Sequence, residues 1–127
     1  MPFDWKSCVA LARRLAGEAA DNDDAEALQR SAVSRAYFGV FGYARNYAIS
    51  YLKFQTRDLS EDHGRLRKHL WDRKRQGDAK RLERLRQWRN EADYLDELPW
   101  DNLPKTLESV LSDAELVFKS LAPPKSK

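Results

Sequence analysis

A long proline-free stretch limits what this chain can fold into. Residues 3–98 of its 127 contain no proline, the residue that interrupts a helix most strongly. Residues that favour strands are scarce as well, since the chain has five valines, one isoleucine and two threonines. Leucine, alanine and arginine, which all favour helices, are the commonest residues. The sequence therefore predicts an all-α protein.

Apolar residues recur at helical spacing in five segments. The first predicted helix is capped by Asp4, and the second is capped by Asp23 or Asp24 and runs to about Leu52. The third is capped by Ser60 and runs to about Gln76, with Gly77 just after its end. The fourth is capped by Asp78 and runs from 79 to about 95, and the fifth starts at Asp101 or Asn102. Short connections favour antiparallel neighbours. We expect an antiparallel up-and-down bundle of four to five helices, with one domain over residues 1–121 and a disordered tail over residues 122–127.

The predicted second helix has two unusual features. Gly39 and Gly42 lie inside it, where each costs about 1 kcal/mol relative to alanine. We expect another helix to approach closely there, and a dimer contact is one candidate. The helix also carries six aromatic residues, which we interpret as packing rather than as a base-stacking platform: Tyr37, Phe38, Phe41, Tyr43, Tyr47 and Tyr51.

The sequence also predicts where the protein resides. Residues 1–24 combine acidic Asp4 with arginines that interrupt the apolar stretch, so we expect neither a signal peptide nor a transit peptide. No run of 18 apolar residues occurs, and no membrane contact is expected. Cys8 is the only cysteine, which excludes a disulfide framework and a thiolate metal cage. We expect a soluble, cytoplasmic protein.

Positive charge is concentrated in one segment. Residues 65–89 carry eleven basic side chains against three acidic ones, a net charge of +8, whereas the whole chain has +3. A basic block in an otherwise acidic chain favours RNA or another polyanion as a partner on one face. Arg81, Arg84 and Arg86 are the predicted RNA-binding residues. The alternative is a solvated helix surface with many ion pairs.

The common enzyme signatures are absent: no glycine-rich phosphate loop, GxSxG, HExxH or CxxC occurs. His63 and His69 stand six residues apart, which does not place them on one helical face, so no metal and no cofactor are expected. His63 shares a helical stripe with Leu66 and Leu70. We interpret it as a partly buried histidine of a capping turn, with a role in a functional site as the alternative.

Residues 85–100, LRQWRNEADYLDELPW, carry the most information about function. Arg89 lies at the border of the buried stripe of the fourth helix, and Asp93 follows it by one turn. An arginine in that position needs a partner or a ligand. One interpretation is a structural Arg89–Asp93 pair, with Tyr94 anchoring the end of the helix. The other is a functional site.

Three motifs together resemble the HEPN family (higher eukaryotes and prokaryotes nucleotide-binding domains). They are SRAYFGVF at residues 34–41, DHG at 62–64 and RNEADY at 89–94, and the resemblance extends over roughly residues 5–120. It implies a small helical bundle, often dimeric, whose active members are metal-independent ribonucleases. Many of these are toxins paired with a minimal nucleotidyltransferase antitoxin, and others act in phage defence.

The resemblance also implies the site residues. The family signature is an arginine, then usually a polar residue, and then a histidine that four to six intervening positions separate from the arginine. Arg89 and Asn90 match its first half, but Tyr94, Leu95 and Asp96 stand where the histidine would be. One branch of small HEPN proteins is similar to this chain in reading Arg-x-x-Ala-Asp-Tyr. The candidate catalytic residues are those of the motif, with His63 as a contributor from another helix: Arg89, Asn90, Asp93, Tyr94 and His63.

The missing histidine separates two hypotheses. Metal-free RNA cleavage needs a group that moves protons near pH 7 and a cation that stabilises charge on the phosphate. Arg89 can supply the cation, whereas a tyrosine hydroxyl ordinarily titrates too high to replace histidine. Arg57 and His63 also fit the spacing but straddle a loop. The first hypothesis is a homodimeric ribonuclease with Arg89 sites facing each other. The alternatives are a non-catalytic module that binds RNA, a nucleotide or a protein, and a purely structural bundle.

Overall fold

The computed structural model describes residues 2–19 and 23–124, and all regular secondary structure in these ranges is helical. The prediction of an all-α bundle is confirmed. The helices, in chain order, are α1 (Lys6–Ala19), α2 (Ala25–Tyr51), α3 (Asp62–Asp72), α4 (Gln76–Tyr94) and α5 (Leu103–Ser120).

Polar contacts show that α4 runs antiparallel to α2 and to α5. Asp78 in the first turn of α4 accepts a hydrogen bond of 2.6 Å from Ser120 at the end of α5. Further along α4, Arg84 forms a two-pronged ion pair with Asp113 of α5, at 3.0 and 3.2 Å. Arg30, near the start of α2, donates to backbone carbonyls at the end of α4. Helices α2 and α5 therefore both run opposite to α4.

Helix α2 forms the centre of the bundle. It contacts each of the other four helices, and twelve of its 27 residues are buried. The largest fully buried side chains come from all around it, led by Tyr37 of α2, Leu66 and Leu70 of α3, and Leu82 and Leu85 of α4. The apolar stripes that predicted the helices therefore meet in one core.

The two glycines of α2 face α1 of the same chain. A Cβ atom on Gly39 would lie 2.8 Å from the backbone oxygen of Trp5 and 2.9 Å from the Cβ of Cys8. One on Gly42 would lie 2.2 Å from the indole ring of Trp5. The predicted close approach is present, and because α1 occupies both positions, the glycines do not mark a dimer contact.

The break between α3 and α4 differs from the prediction. Helix α3 ends at Asp72 rather than near Gln76, and Lys74 adopts the left-handed conformation with φ of 63°. The backbone N–H groups of Lys74 and Arg75 bond to the carbonyls of Trp71 and Leu70, which is the Schellman pattern that ends many helices. Because Lys74 takes the position expected for glycine, Gly77 falls inside the first turn of α4, and Asp78 lies in that turn rather than at its cap.

Helix α3 begins at Asp62, one residue later than a cap at Ser60 predicts. The carboxylate of Asp62 accepts hydrogen bonds from the Thr56 hydroxyl and from the backbone N–H groups of Arg57 and Asp58, at 3.0 and 2.9 Å for the two N–H groups. Burial raises the pKa of Asp62, but the hydrogen bonds from Thr56, Arg57, Arg65 and Asp58 outweigh it and lower the pKa to about 2. The connector between α2 and α3, residues 52–61, is therefore held to α3 by this carboxylate rather than by Ser60.

The last helix begins as the sequence predicts, because the side chain of Asn102 accepts the backbone N–H of Lys105 at 3.0 Å. Residues 122–124 are exposed and irregular, and the rest of the predicted tail, residues 125–127, lies outside the described residues. No helix formed by the described residues is long and apolar enough to cross a membrane.

Gly39→Ala should lower the free energy of unfolding by about 1–3 kcal/mol, because the added methyl group overlaps the backbone of Trp5. Gly17→Ala is the matched control. A Cβ atom on Gly17, in α1, would meet nothing within 4 Å, so alanine should stabilise the chain by up to about 1 kcal/mol. Urea denaturation measures both effects. Wild-type stability of Gly39→Ala would contradict the packing of α1 on α2.

The stability of the fold should fall in acid because of Asp62. Its pKa drops from 3.8 to about 2 on folding, so its contribution of about 2 kcal/mol is present above pH 4 and is lost as the pH falls towards 2. Asp62→Asn should therefore destabilise the chain at pH 7 and have little effect at pH 2. Asp72→Asn, in an exposed ion pair with Lys68 on the same helix, is the control and should change little at either pH. Equal destabilisation by Asp62→Asn at both pH values would contradict this account.

Candidate functional site

Arg89 gathers the predicted motif residues at the border of the bundle. Its Nε atom lies 3.0 Å from Oδ2 of Asp93, and one terminal nitrogen donates to the side-chain oxygen of Asn90 at 2.8 Å. The guanidinium also lies over the ring of Phe38, 4.7 Å from its centroid. Only 19% of the Arg89 side chain is exposed. The Arg89–Asp93 pair that the sequence suggested is therefore present.

The other members of the motif differ in position. Asp93 also accepts a hydrogen bond of 3.2 Å from the hydroxyl of Ser34 on α2, so it connects α4 to the central helix. Tyr94 is 72% exposed, and its ring centroid lies 5.7 Å from the Arg89 guanidinium. Tyr94 thus stands at the rim of the cluster rather than inside it.

The end of α4 is held by Arg30, which sequence analysis missed. Its guanidinium donates to the carbonyl oxygens of Ala92, Leu95 and Asp96, at 3.2, 2.5 and 3.1 Å. Carbonyls at the end of a helix lack partners within the helix and carry partial negative charge, so a cation is favourable there. Arg30 thereby fixes the segment that carries Arg89 and Asp93. Nothing local in the sequence pairs Arg30 with residues more than 60 positions away.

His63 joins the same region from the first turn of α3. Its ring stacks on Phe41 with centroids 4.0 Å apart, and its Nδ1 atom forms a hydrogen bond with the hydroxyl of Tyr37. Tyr37 is only 1% exposed, whereas His63 is half-buried. The expectation of a partly buried histidine is met, and the structure brings it to the candidate site.

The pKa values of both His63 and Tyr37 are shifted by burial and by the same three arginines. Burial lowers the pKa of His63, and the positive charges of Arg86, Arg89 and Arg67 lower it further, against a weaker opposing effect of Asp62. Burial raises the pKa of Tyr37 to about 12, although the same three arginines act to lower it. His63 is therefore neutral at pH 7, and Tyr37 keeps its proton.

The arginines that act on this pair line two adjoining clefts. Arg67, Arg86 and Asn90 are among the residues that line one, which has a volume of about 200 Å³. Arg86 and Asn90 also line the second, together with Arg89 and Tyr94. One terminal nitrogen of Arg67 is buried and has no acceptor among residues 2–19 and 23–124, so Arg67 retains hydrogen-bonding capacity. Sequence analysis missed Arg67, although it lies one helical turn after His63.

The three predicted RNA-binding arginines occupy different positions. Arg86 lines both clefts. Arg81 lies 3.4 Å from the buried carboxylate of Asp78, and Arg84 is paired with Asp113. Their binding of RNA stays a prediction, but Arg81 and Arg84 already have acidic partners inside the bundle. Arg57, the alternative motif arginine, lies in the connector and pairs with Glu61 at 3.5 Å.

No protein-family model, curated protein or solved structure matches the chain. The resemblance to the HEPN family therefore stays a prediction that rests on its motifs. Within residues 2–19 and 23–124, no cluster of three or more histidine, cysteine, aspartate or glutamate side chains could hold a metal ion.

Arg86→Gln should raise the pKa of His63, because Arg86 has the strongest effect on it of the three arginines. Arg81→Gln is the control, since Arg81 pairs with Asp78 and should leave the His63 pKa unchanged. The imidazole resonances of His63, followed by NMR as a function of pH, give both values. An unchanged pKa in Arg86→Gln would show that Arg86 does not face the histidine.

Proposed function

We propose that the protein is a metal-independent endoribonuclease of the HEPN type. The observation that carries this proposal is that the three arginines whose charges lower the pKa of His63 also line two adjoining clefts. Arg67, Arg86 and Arg89 would hold a phosphate, and His63 would move the proton. A histidine from α3 would thus replace the one that the motif on α4 lacks.

The chemistry needs only these groups. The 2′-oxygen of the substrate attacks the neighbouring phosphorus, and its proton goes to Nε2 of His63. The bond from phosphorus to the 5′-oxygen then breaks, and the leaving 5′-oxygen takes up a proton from water, so that a 2′,3′-cyclic phosphate and a free 5′-hydroxyl result. The proton on His63 then passes to the solvent. The arginines stabilise the negative charge that grows on the phosphate oxygens. No metal ion takes part in these steps.

Tyr37 is a positioning residue in this scheme. A hydroxyl can either donate to a ring nitrogen or accept from one, so Tyr37 can hold His63 in both neutral tautomers and in the imidazolium form. Its raised pKa keeps the hydroxyl protonated throughout. Stacking on Phe41 fixes the plane of the imidazole ring while its protonation changes.

A specific observation favours a second candidate, a non-catalytic module that binds RNA, a nucleotide or a partner protein. Asp93 and Asn90 already engage Arg89, which reduces the charge that it can offer to a reacting phosphate. Binding requires only net positive charge in the clefts, whereas cleavage also requires proton transfer by His63. The two candidates therefore differ in what His63 does.

The biological setting is proposed on the HEPN resemblance alone. It includes a role as a toxin or in antiviral defence in the cytoplasm, neutralisation by a minimal nucleotidyltransferase antitoxin, and a homodimer with the two Arg89 sites near each other.

Arg89→Ala should reduce RNA cleavage by a factor of about 10²–10³ and leave the fold intact, because it removes a charge from the phosphate without opening the core. Arg84→Ala is the matched control on the same helix: it breaks the pair with Asp113 and should lower stability while cleavage persists. Cleavage is measured on a labelled RNA in the presence of a metal chelator. Wild-type rates after Arg89→Ala would count against this site.

His63→Gln separates the two candidate functions. It should abolish cleavage and leave RNA affinity nearly unchanged if His63 moves the proton, since glutamine keeps a polar group but does not titrate. If the wild-type chain itself binds RNA and cuts none, the non-catalytic module is the function. The comparison uses the same labelled RNA for both measurements.

A further inference from the structure

The two clefts lined by Arg86 continue into a third along the groove between α3 and α4. Arg67 and Glu83 belong to the walls of both the 200 Å³ cleft and this third cleft. The third cleft has a volume of about 460 Å³ and extends to Trp71 at the end of α3 and Lys80 at the start of α4. The three clefts thus follow one another along α4, and we call them together the α3–α4 groove.

Basic side chains outnumber acidic ones in this groove. Its cations are Arg67, Lys68, Lys80, Arg86 and Arg89, and its carboxylates are Asp72, Glu83 and Glu91. Lys68 and Asp72 pair with each other, so four cations remain against Glu83 and Glu91. The groove therefore offers a row of positive charge to a polyanion.

An exposed aromatic side chain stands at each end of the groove. Trp71 is 46% exposed at one end and Tyr94 is 72% exposed at the other. The ammonium of Lys80 lies 5.7 Å from the centre of the Trp71 ring, which places a cation beside an accessible flat surface. Lys80 and Tyr94 are separated by most of α4, a distance of about 21 Å at 1.5 Å per residue.

We propose that the α3–α4 groove binds single-stranded RNA, with Trp71 as a base-stacking platform remote from the reacting phosphate. Basic grooves that follow a backbone, with aromatic rings on which bases stack, are how proteins bind single strands. A duplex keeps its bases paired and stacked, so it cannot place one on Trp71. The proposal rests on the proposed function for its choice of RNA and adds the form of the substrate and a residue that selects it.

The groove also separates the base-stacking residue, Trp71, from the proposed cleavage site at Arg89. A base stacked on Trp71 lies at the far end of α4 from Arg89, so a strand must extend over the whole groove to reach both. Oligonucleotides too short to do so should bind weakly even when they contain the bond that is cleaved. Length dependence is thus a property of the groove that the reaction site alone would not have.

Fluorescence anisotropy with a labelled 2′-O-methyl RNA of about 12 nucleotides tests the proposal, because this strand lacks the attacking hydroxyl and is not cleaved. Trp71→Ala should weaken its binding about fivefold or more, and Trp71→Phe should restore most of the affinity. Tyr51→Ala is the matched control, since Tyr51 is 47% exposed and lies outside the groove. The duplex of the same sequence should bind more weakly than the single strand.

The outcomes separate this proposal from the ribonuclease proposal. If the chain cuts unmodified RNA but Trp71→Ala binds as tightly as wild type, or the duplex binds as well as the single strand, the stacking groove is wrong and the ribonuclease stands. If the chain cuts no RNA but binds the 2′-O-methyl strand through Trp71, the groove stands and the ribonuclease is wrong. A chain that binds neither strand, as expected of a surface for a protein partner, overturns the groove.

Discussion

Helix α2 touches every other helix, and these four contacts are the constraint that arranges the bundle. Small residues make this possible: at Gly39 and Gly42 the backbone and ring of Trp5 occupy the space of a side chain. Because α1, α4 and α5 are fixed on the same helix, α4 presents Arg89 at a set distance from Tyr37. The packing of the core thus determines the positions of the side chains in the candidate site.

The site brings together charges that repel each other. Arg67, Arg86 and Arg89 all act on the same histidine, and the ion pair that one of them forms, within the described ranges, is that of Arg89 with Asp93. Arg84, by contrast, forms a two-pronged pair with Asp113. Local arrangements that do not serve stability tend to occur at functional sites. An anion in the clefts would reduce the repulsion among these arginines, which is a ground for the phosphate site proposed above.

The sequence predicted the helices because their apolar stripes repeat over many turns, and it predicted the cap at Asn102 because that signal is local. The sequence-based boundary between α3 and α4 was wrong, because Lys74 adopts the left-handed backbone conformation that usually requires glycine. The motif residues Arg89, Asn90 and Asp93 were identifiable since they lie within one turn or so of each other. The sequence did not predict the contact of His63 with Tyr37 or that of Arg30 with the end of α4. Both contacts depend on how helices that are distant in the sequence pack together.

Helix α3 packs less extensively against the rest of the bundle than its neighbours do. It is eleven residues long, it packs mainly against α4, and residues with left-handed backbone stand on either side of it, at Asp58 and Lys74. Short elements with few buried contacts detach from a folded protein before the rest unfolds. Such a detachment would carry His63 and Arg67 away together and leave Arg86 and Arg89 on α4 in place. Warming should therefore take the candidate site apart before the remaining helices separate.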